Sequence, residues 1–238
     1  MSGLRQGVVI TGAAGDLGRD LAVGFLADGW TVFGADLSPQ AAADGLVPVR
    51  LDVTDRGGMF ALAERAARES RLLAWINAAG VFAAGGVRDA DEAAWHRIVA
   101  VNLTGTFFGC AAALGSLSQG GGGRIVNVGS ISGQVGGTGV HPAYGASKAG
   151  VHALTKTYAL EGARHGVLCN AVAPGLLEGR MAAAFAPAQQ ERLAHANPLR
   201  RLGRIAEVTR VIRFLADPAG SYLNGAIVPV NGGAYMPS

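Results

Sequence analysis

Tyr144 and Lys148 stand four positions apart, and together their side chains could move a proton. Four residues make about one turn of a helix, so both side chains would lie on one face. A phenol with a pKa near ~10 is a poor base at neutral pH, and a nearby ammonium lowers that pKa. The pair could take a proton from an alcohol as a hydride leaves, or return it to a ketone. Ser130 could hydrogen-bond the reacting oxygen, and Ser132 is the alternative for that role.

The lysine content directs attention to the same residues. Lys148 and Lys156 are the only lysines, so 18 of the 20 Lys and Arg residues are arginine. A chain that otherwise uses arginine has a lysine where a compact ammonium would serve Tyr144.

A glycine-rich run, TGAAGDLG at 11–18, lies between a short apolar run and an Ala/Leu-rich segment with helical periodicity. Glycines at a strand-to-helix turn let the backbone approach a pyrophosphate, and the helix N-terminus supplies N–H donors. The turn therefore predicts dinucleotide binding, although glycine-rich turns also simply connect strands to helices. The predicted contacts in this turn are Gly12, Gly15, Asp16, Leu17 and Gly18.

Asp36 ends the second apolar run, about 20 residues after the glycine turn. A carboxylate there can accept hydrogen bonds from the adenosine ribose hydroxyls and repel a 2′-phosphate. Its neighbours Ala35, Leu37 and Ser38 supply no cation for such a phosphate. The sequence therefore favours NAD over NADP, and the alternative is that Asp36 is a solvated turn residue.

Seven short β-branched runs alternate with longer segments whose apolar residues recur at three- and four-residue spacings. The predicted strands are Val8–Thr11, Thr31–Ala35, Val47–Asp52, Leu73–Asn77, Arg124–Val128, Val167–Val172 and Ala226–Val230. The predicted helices are Leu17–Asp28, Asp55–Arg71, Asp91–Leu117, Ala143–His165 and Ala206–Leu215. The pattern predicts one α/β domain over residues 1–238, a doubly wound parallel sheet with helices on both faces. Residues 176–204 interrupt it, either as a substrate loop or as a plain surface insertion.

Several further motifs stand in a characteristic order. Ser130 precedes YGASK at 144–148, and NAAG at 77–80, VNLTG at 101–105 and the dipeptide at 174–175 accompany it. With the glycine turn, they resemble the short-chain dehydrogenase/reductase family over essentially the whole chain. The resemblance implies a Rossmann fold, a nicotinamide cofactor and a homotetramer joined through the helices predicted at 91–117 and 143–165.

The resemblance also implies roles for single residues. Asn102 would anchor a water chain that leads protons from Lys148 to solvent, and Lys148 would also hold the nicotinamide ribose. Taken alone, Asn102 would be an ordinary polar residue of a helix. The remaining implied cofactor contacts, which could instead only maintain the fold, are Asp52, Val53, Asn77, Gly80, Pro174, Gly175 and Leu177.

Several positions depart from the family pattern, and Ala78 and Asn231 among them are expected to be structural. Asp16 replaces the middle glycine of the loop, and we expect it to cap the helix or pair with Arg19, away from the phosphates. Gly179 stands where the family often has a threonine that binds the nicotinamide carboxamide. The serine also stands 14 residues before the tyrosine, one more than is usual, which implies an insertion within 134–141.

The function predicted is hydride transfer between NAD(H) and a secondary alcohol or ketone. The alternatives are a 3-oxoacyl thioester reductase that uses NADPH and a dinucleotide sensor without catalysis. His141 could contact substrate or be a bystander, and Arg200, Arg201 and Arg204 could bind an acidic substrate or lie solvated on the surface. The predicted pocket is mostly apolar and consists of Val81, Phe82, Ser132, Gln134, His141, Leu176, Leu177, Met181 and Phe185.

The composition bears on other classes of partner, namely nucleic acids, membranes and metals. The chain has 238 residues, 50% of them hydrophobic, and a net charge of +3 without a basic stripe, so a nucleic-acid partner is not predicted. Neither a signal peptide nor a run of ~20 apolar residues is evident, and no membrane partner is predicted. Two isolated cysteines, Cys110 and Cys169, suit a reducing cytoplasm and no metal site.

Overall fold

The computed structural model describes residues 3–38 and 40–237. Its strands are β1 (Gln6–Thr11), β2 (Thr31–Asp36), β3 (Leu46–Arg50), β4 (Arg71–Asn77), β5 (Gly123–Val128), β6 (Val167–Pro174) and β7 (Ile227–Val230). They form one parallel sheet in the order β3-β2-β1-β4-β5-β6-β7. Every predicted strand is present, and the predicted doubly wound α/β fold is confirmed.

Two layers of helices cover the sheet. The helices are α1 (Asp16–Ala27), α2 (Arg56–Glu69), α3 (Glu92–Val99), α4 (Gly105–Gln119), α5 (Ser132–Val135), α6 (Pro142–Ala163), α7 (Pro187–Ala196) and α8 (Ile205–Ala216). Successive side chains of a strand point to opposite faces. Val9 therefore packs with residues of α2, α4 and α6, whereas Val8 and Ile10 pack with α1 and α8.

The strand order positions the site. The chain runs from β1 outward to β2 and β3, and then returns past β1 to begin β4 on its other side. Because both faces of the sheet are apolar and covered, ligands are accommodated beyond the carboxyl ends of the strands, where the strand order reverses. The crevice between β1 and β4 is therefore the expected cofactor position.

The predicted helix 91–117 differs from the observed one. A π-helical turn, Ala100–Thr104, separates α3 from α4, and Asn102 lies buried within it. Such a turn adds a residue to one helical turn and frequently occurs at functional sites. Hydrophobic periodicity does not reveal it, since the apolar stripe continues on both sides.

The segment Glu92–Gln119, taken as one helix, contains an 18-residue window with a mean hydropathy of 1.6, so it could cross a membrane by length and composition. This is contrary to the expectation that no segment has that character. In the fold, 44% of its most apolar window is buried, and Cys110, Ala113 and Leu117 pack in the core. A core helix of a soluble domain passes the same test, so the segment carries no argument for a membrane.

A buried polar network joins the sheet to α6. Asn77 accepts a hydrogen bond from the indole N–H of Trp75 at 2.8 Å and donates one to Asn127 at 2.8 Å. Asn127 in turn donates to the Thr155 hydroxyl at 3.0 Å. The Asn77 amide is therefore a partner that these buried groups require, and its contact with the cofactor stays a prediction.

Residues 176–204 form a loop whose two ends are hydrogen-bonded together. The Glu178 N–H donates to the Gly203 carbonyl at 2.9 Å, and the Gly203 N–H donates to the Leu176 carbonyl at 3.1 Å. The interior of the loop contains a short 3-10 turn and α7, neither of which was predicted. We call residues 176–204 the substrate loop below.

Candidate active site

The glycine turn (residues 11–18) has a backbone that larger side chains would prevent. Gly12 has φ +70°, and a Cβ added there would lie 2.6 Å from the Ala79 Cα. A Cβ on Gly18 would lie 2.2 Å from the Gly12 carbonyl oxygen. Gly15 is the N-cap of α1 and no side chain caps the helix, so its first N–H groups face a cradle that fits a pyrophosphate.

Asp36 lies at the end of β2, beside this cradle. One carboxylate oxygen accepts the Ala14 N–H at 2.9 Å, and the other accepts the Ser38 N–H at 2.8 Å. Asp36 thus fixes the glycine turn against β2 while its carboxylate remains partly exposed. A carboxylate has about four acceptor positions, so further hydrogen bonds to ribose hydroxyls are compatible with these contacts.

Helix α6 presents the catalytic candidates. His141 is its N-cap: one ring nitrogen accepts the Ala143 N–H at 3.2 Å, and the other lies 3.1 Å from the Asp91 carbonyl oxygen. Of the two roles considered for His141, the structure favours the bystander, because one ring nitrogen caps α6 and the other contacts the backbone at the start of α3. Tyr144 and Lys148 then lie on the buried face of α6, as their spacing predicts.

The Lys148 ammonium is buried and donates a hydrogen bond of 2.7 Å to the Val128 carbonyl oxygen at the end of β5. Burial lowers the pKa of Lys148 from 10.5 to about 8, because a low-dielectric surrounding disfavours the charged form. One turn further on, burial and the positive charge of Lys148 lower the pKa of His152 to about 4. His152 was not singled out in the sequence, although its four-residue spacing from Lys148 places it on the same face.

Tyr144 is buried beside Ser130. Burial raises the pKa of Tyr144, and its hydrogen bond with Ser130 opposes that rise. The predicted lowering by Lys148 is not seen here, because the ammonium is directed to Val128 and lies 5.8 Å from the centre of the phenol ring. Ser132 begins α5 and donates its N–H to the Ser130 hydroxyl at 3.1 Å, so Ser130 rather than Ser132 faces the phenol.

Asn102 connects two sides of the site. Its amide exchanges two hydrogen bonds with the backbone of Val81, at 2.8 and 3.0 Å, and donates a third to the Ser147 hydroxyl at 3.2 Å. A Cβ on Gly80 would lie 3.4 Å from the Asn102 amide oxygen and 3.6 Å from the Lys148 ammonium. Gly80 therefore lies beside both Asn102 and Lys148, at distances that are ordinary van der Waals contact for an added Cβ.

The other implied contacts lie around the same edge of the sheet. The exposed Asp52 accepts hydrogen bonds from Thr54, and the buried Val53 packs against α4 at Gly105. The Pro174 carbonyl accepts the Ile131 N–H at 3.0 Å, which ties the end of β6 to the loop that follows Ser130. The two remaining positions are Gly175, packed against Asn231, and Leu177, packed against Gly203.

Asp16 does not pair with Arg19 and does not cap α1, contrary to the prediction. Its carboxylate accepts the side-chain Nε–H of Arg180 at 2.9 Å and the backbone N–H of Arg180 at 2.9 Å. The partner is 164 residues away in the substrate loop, so local spacing could not reveal it.

Hydrophobic side chains of the substrate loop cover the phenol. The Met181 sulfur lies 3.9 Å from the Tyr144 hydroxyl, and Phe82 packs edge-on against Tyr144 and also against Phe185. A separate cavity of about 620 Å³ lies at the base of the loop, and neither Ser130 nor Tyr144 is among its lining residues. Of the predicted apolar pocket members, 82 and 181 thus contact Tyr144, and 185 packs against 82.

Comparison with known proteins gives the family. Residues 12–235 match the family described as enoyl-(acyl carrier protein) reductase. The chain belongs to the short-chain dehydrogenase/reductase family. It is an oxidoreductase that acts on CH–OH and C=O groups, as predicted, and the family uses a nicotinamide dinucleotide.

Among curated members of this family, the (3R)-3-hydroxyacyl-CoA dehydrogenase of Mus musculus is 36% identical over 96% of this chain and 95% of its own length. The cis-4-hydroxycyclohexanecarboxylate dehydrogenase of Sinomonas cyclohexanicum is 37% identical over 94% of each chain. The solved structure of ElxO with NADP bound is 25% identical, covers 97% of this chain and 99% of that one, and gives a TM-score of 0.89.

We expect burial of Lys148 to make stability depend on alkaline pH. The unfolded chain retains the lysine proton up to about pH 10.5, whereas the folded chain loses it near pH 8. The unfolded state therefore binds more protons in this window, and the free energy of unfolding rises with pH. The free energy of unfolding, measured with urea at several values between pH 8 and ~9.5, should rise less steeply with pH in Lys148→Met than in the wild type.

The exposed Lys156→Met is the matched control and should keep the wild-type slope. Parallel curves for wild type and Lys148→Met would contradict the assignment of a buried, readily deprotonated ammonium.

Proposed function

We propose that this protein transfers a hydride between NAD(H) and a secondary alcohol or its ketone, with Tyr144 as the acid/base. The observation that carries the proposal is the convergence of Ser130, Tyr144 and Lys148 at the carboxyl edge of the sheet. The glycine turn follows β1 and Asp36 ends β2, so they lie at the same edge, two and three strands from β5. A substrate bound at this edge could therefore contact the proton-transfer group and the bound dinucleotide at the same time.

The nicotinamide ring, when bound, accepts or supplies the hydride. Ser130 hydrogen-bonds the substrate oxygen and holds it against the Tyr144 hydroxyl. Tyr144 takes the alcohol proton at its hydroxyl oxygen during oxidation and returns it to the carbonyl oxygen during reduction. Water is kept away by Met181 and Phe82, so the hydrogen bonds act in a medium of low dielectric constant.

Lys148 and Asn102 support this proton transfer. Lys148 holds the nicotinamide ribose, and its positive charge favours the phenolate whenever Tyr144 gives up its proton. With a pKa of about 8, Lys148 itself can release and recover a proton near neutral pH. Asn102, fixed by Val81 and Ser147, anchors the water chain through which that proton reaches solvent.

Asp36 supports the choice of NAD. Its carboxylate is held in a fixed position by two backbone N–H groups, and there it would accept hydrogen bonds from the adenosine ribose hydroxyls. A 2′-phosphate would bring a second negative charge against it. ElxO binds NADP, which makes the cofactor preference of this chain a point for direct measurement.

The apolar surface near Tyr144 favours a substrate with an apolar or cyclic body. The Mus musculus relative is named for 3-hydroxyacyl-CoA and the Sinomonas relative for a hydroxycyclohexane carboxylate, and both substrates are secondary alcohols on such bodies. A 3-oxoacyl thioester reductase that uses NADPH is the second candidate, favoured by the thioester substrate in the first of these names. A sensor without catalysis is the third, and the retained Ser130, Tyr144 and Lys148 disfavour it.

The first test is turnover on a panel of secondary alcohols, dihydrodiols, hydroxysteroids and 3-hydroxyacyl thioesters, with NAD and NADP in parallel. We expect NADH formation with one class, and a fall in kcat of about 10²-fold or more in Tyr144→Phe while the Kd for NADH is kept. Preference for NADPH with thioesters would select the second candidate. Tight NADH binding without turnover on any class would favour the sensor.

Asp36→Ala combined with Leu37→Arg should move the preference toward NADP. The change removes one negative charge and adds a cation at an exposed side chain beside the ribose position. We expect the ratio of kcat/KM for NAD to that for NADP to fall by about tenfold or more. An unchanged ratio in steady-state assays would remove Asp36 from this role, and Leu37→Ala is the control that adds no charge.

We propose, further, that the protein is a homotetramer joined through α4 and α6. Phe107 on α4 and Leu160 on α6 are 43% and 80% exposed, although both are large and apolar. Such side chains on two helices are compatible with a symmetric interface. Light scattering should give the mass of four chains of 24.1 kDa, about 96 kDa, and the mass of one chain would contradict the proposal.

A further inference from the structure

Two of the positions at which the sequence departs from its family, Asp16 and Gly179, meet in space. Gly179 has φ +115°, and a Cβ added there would lie 2.7 Å from a carboxylate oxygen of Asp16. The glycine therefore permits the close approach that lets the next residue, Arg180, bind Asp16 through both its backbone and its side chain. The glycine at position 179 and the carboxylate at position 16 thus belong to one contact.

Arg180 is aimed at the glycine turn. Its Nη2 donates to the Ala14 carbonyl at 3.0 Å and lies 3.7 Å from the place where a Cβ on Gly15 would stand. These contacts use two of the five guanidinium N–H groups, so three remain to bind an anion. The guanidinium is held at the cradle that fits the pyrophosphate.

The charges also suit that anion. Asp16 is the only charged residue of the glycine turn, and alone it would repel a pyrophosphate. Arg180 neutralises it. The ion pair is largely solvent-exposed, at 66% for Arg180 and 33% for Asp16, and exposed pairs contribute little to stability. A ligand-binding role accounts for three convergent hydrogen bonds better than stability does.

Building on the proposed function, we propose that Arg180 is a pyrophosphate-binding residue supplied by the substrate loop and that Asp16 is its positioning residue. Met181, the next residue, lies against the Tyr144 hydroxyl. Binding of the dinucleotide at Arg180 therefore also orders the adjacent residue, which covers Tyr144. Affinity for the cofactor and closure of the site are consequences of the same contact.

The test is the Kd of NADH, measured by fluorescence, and the Kd of ADP-ribose, measured by competition with NADH. Arg180→Gln should weaken both by about tenfold or more, because a charge-assisted contact to phosphate is lost. It should also reduce the salt dependence of both constants. ADP-ribose lacks the nicotinamide, so an effect on NADH alone would place Arg180 at the nicotinamide and overturn the proposal.

Three further variants separate positioning from general disruption. Asp16→Asn combined with Arg180→Gln should bind NADH several-fold more tightly than Arg180→Gln, since the uncompensated carboxylate is gone. Gly179→Ala keeps both charges but disturbs their approach, and it should also weaken NADH binding. Arg192→Gln, an exposed arginine in α7 of the same loop, is the control and should bind NADH as the wild type does.

A second readout follows the loop itself. NADH should slow amide hydrogen exchange of residues 178–186 in the wild type and have little effect on them in Arg180→Gln. If the wild type binds neither NADH nor NADPH, the proposed function fails. If the wild type binds NADH and Arg180→Gln binds it within about twofold, only the role of Arg180 fails.

Discussion

The hydrogen bond from the Lys148 ammonium to the Val128 carbonyl is the contact on which the active site depends. It joins α6 to the carboxyl end of β5 and so fixes the rotation of α6 about its axis. That rotation decides that Tyr144, one turn earlier, faces Ser130. Burying an ammonium costs free energy, and the hydrogen bond to Val128 offsets only part of that cost, so the pKa of Lys148 is lowered. This ammonium stands next to the residue proposed to transfer the proton.

The core beneath the site contains a buried polar network that favours one arrangement of the surrounding elements. Asn77, Asn127 and Thr155 link β4, β5 and α6 through hydrogen bonds that only one register of the three elements satisfies. A fully hydrogen-bonded buried network rigidifies its surroundings, whereas a partly satisfied one would be destabilising. The position of α6 on the sheet is therefore held from below by this network and from above by Lys148.

The cofactor end and the substrate end of the site are connected through the substrate loop. Arg180 is bound to the glycine turn, and Met181 covers the catalytic phenol. Because Arg180 and Met181 are adjacent, a contact that fixes one of them also restricts the position of the other. This arrangement relates the departures at Asp16 and Gly179 to catalysis without any change in the catalytic residues.

The sequence by itself determined the features that depend on chain periodicity. The alternation of strands and helices, the shared face of Tyr144 and Lys148 and the glycine turn between β1 and α1 follow from residue spacing and backbone sterics, which act over a few residues. Only the tertiary structure decided the partners of Asp16 and Asn77, because these depend on which distant segments the packing brings together. The tertiary structure also decided that the pKa of Tyr144 is raised, since the shift is set by burial and by where the Lys148 ammonium points.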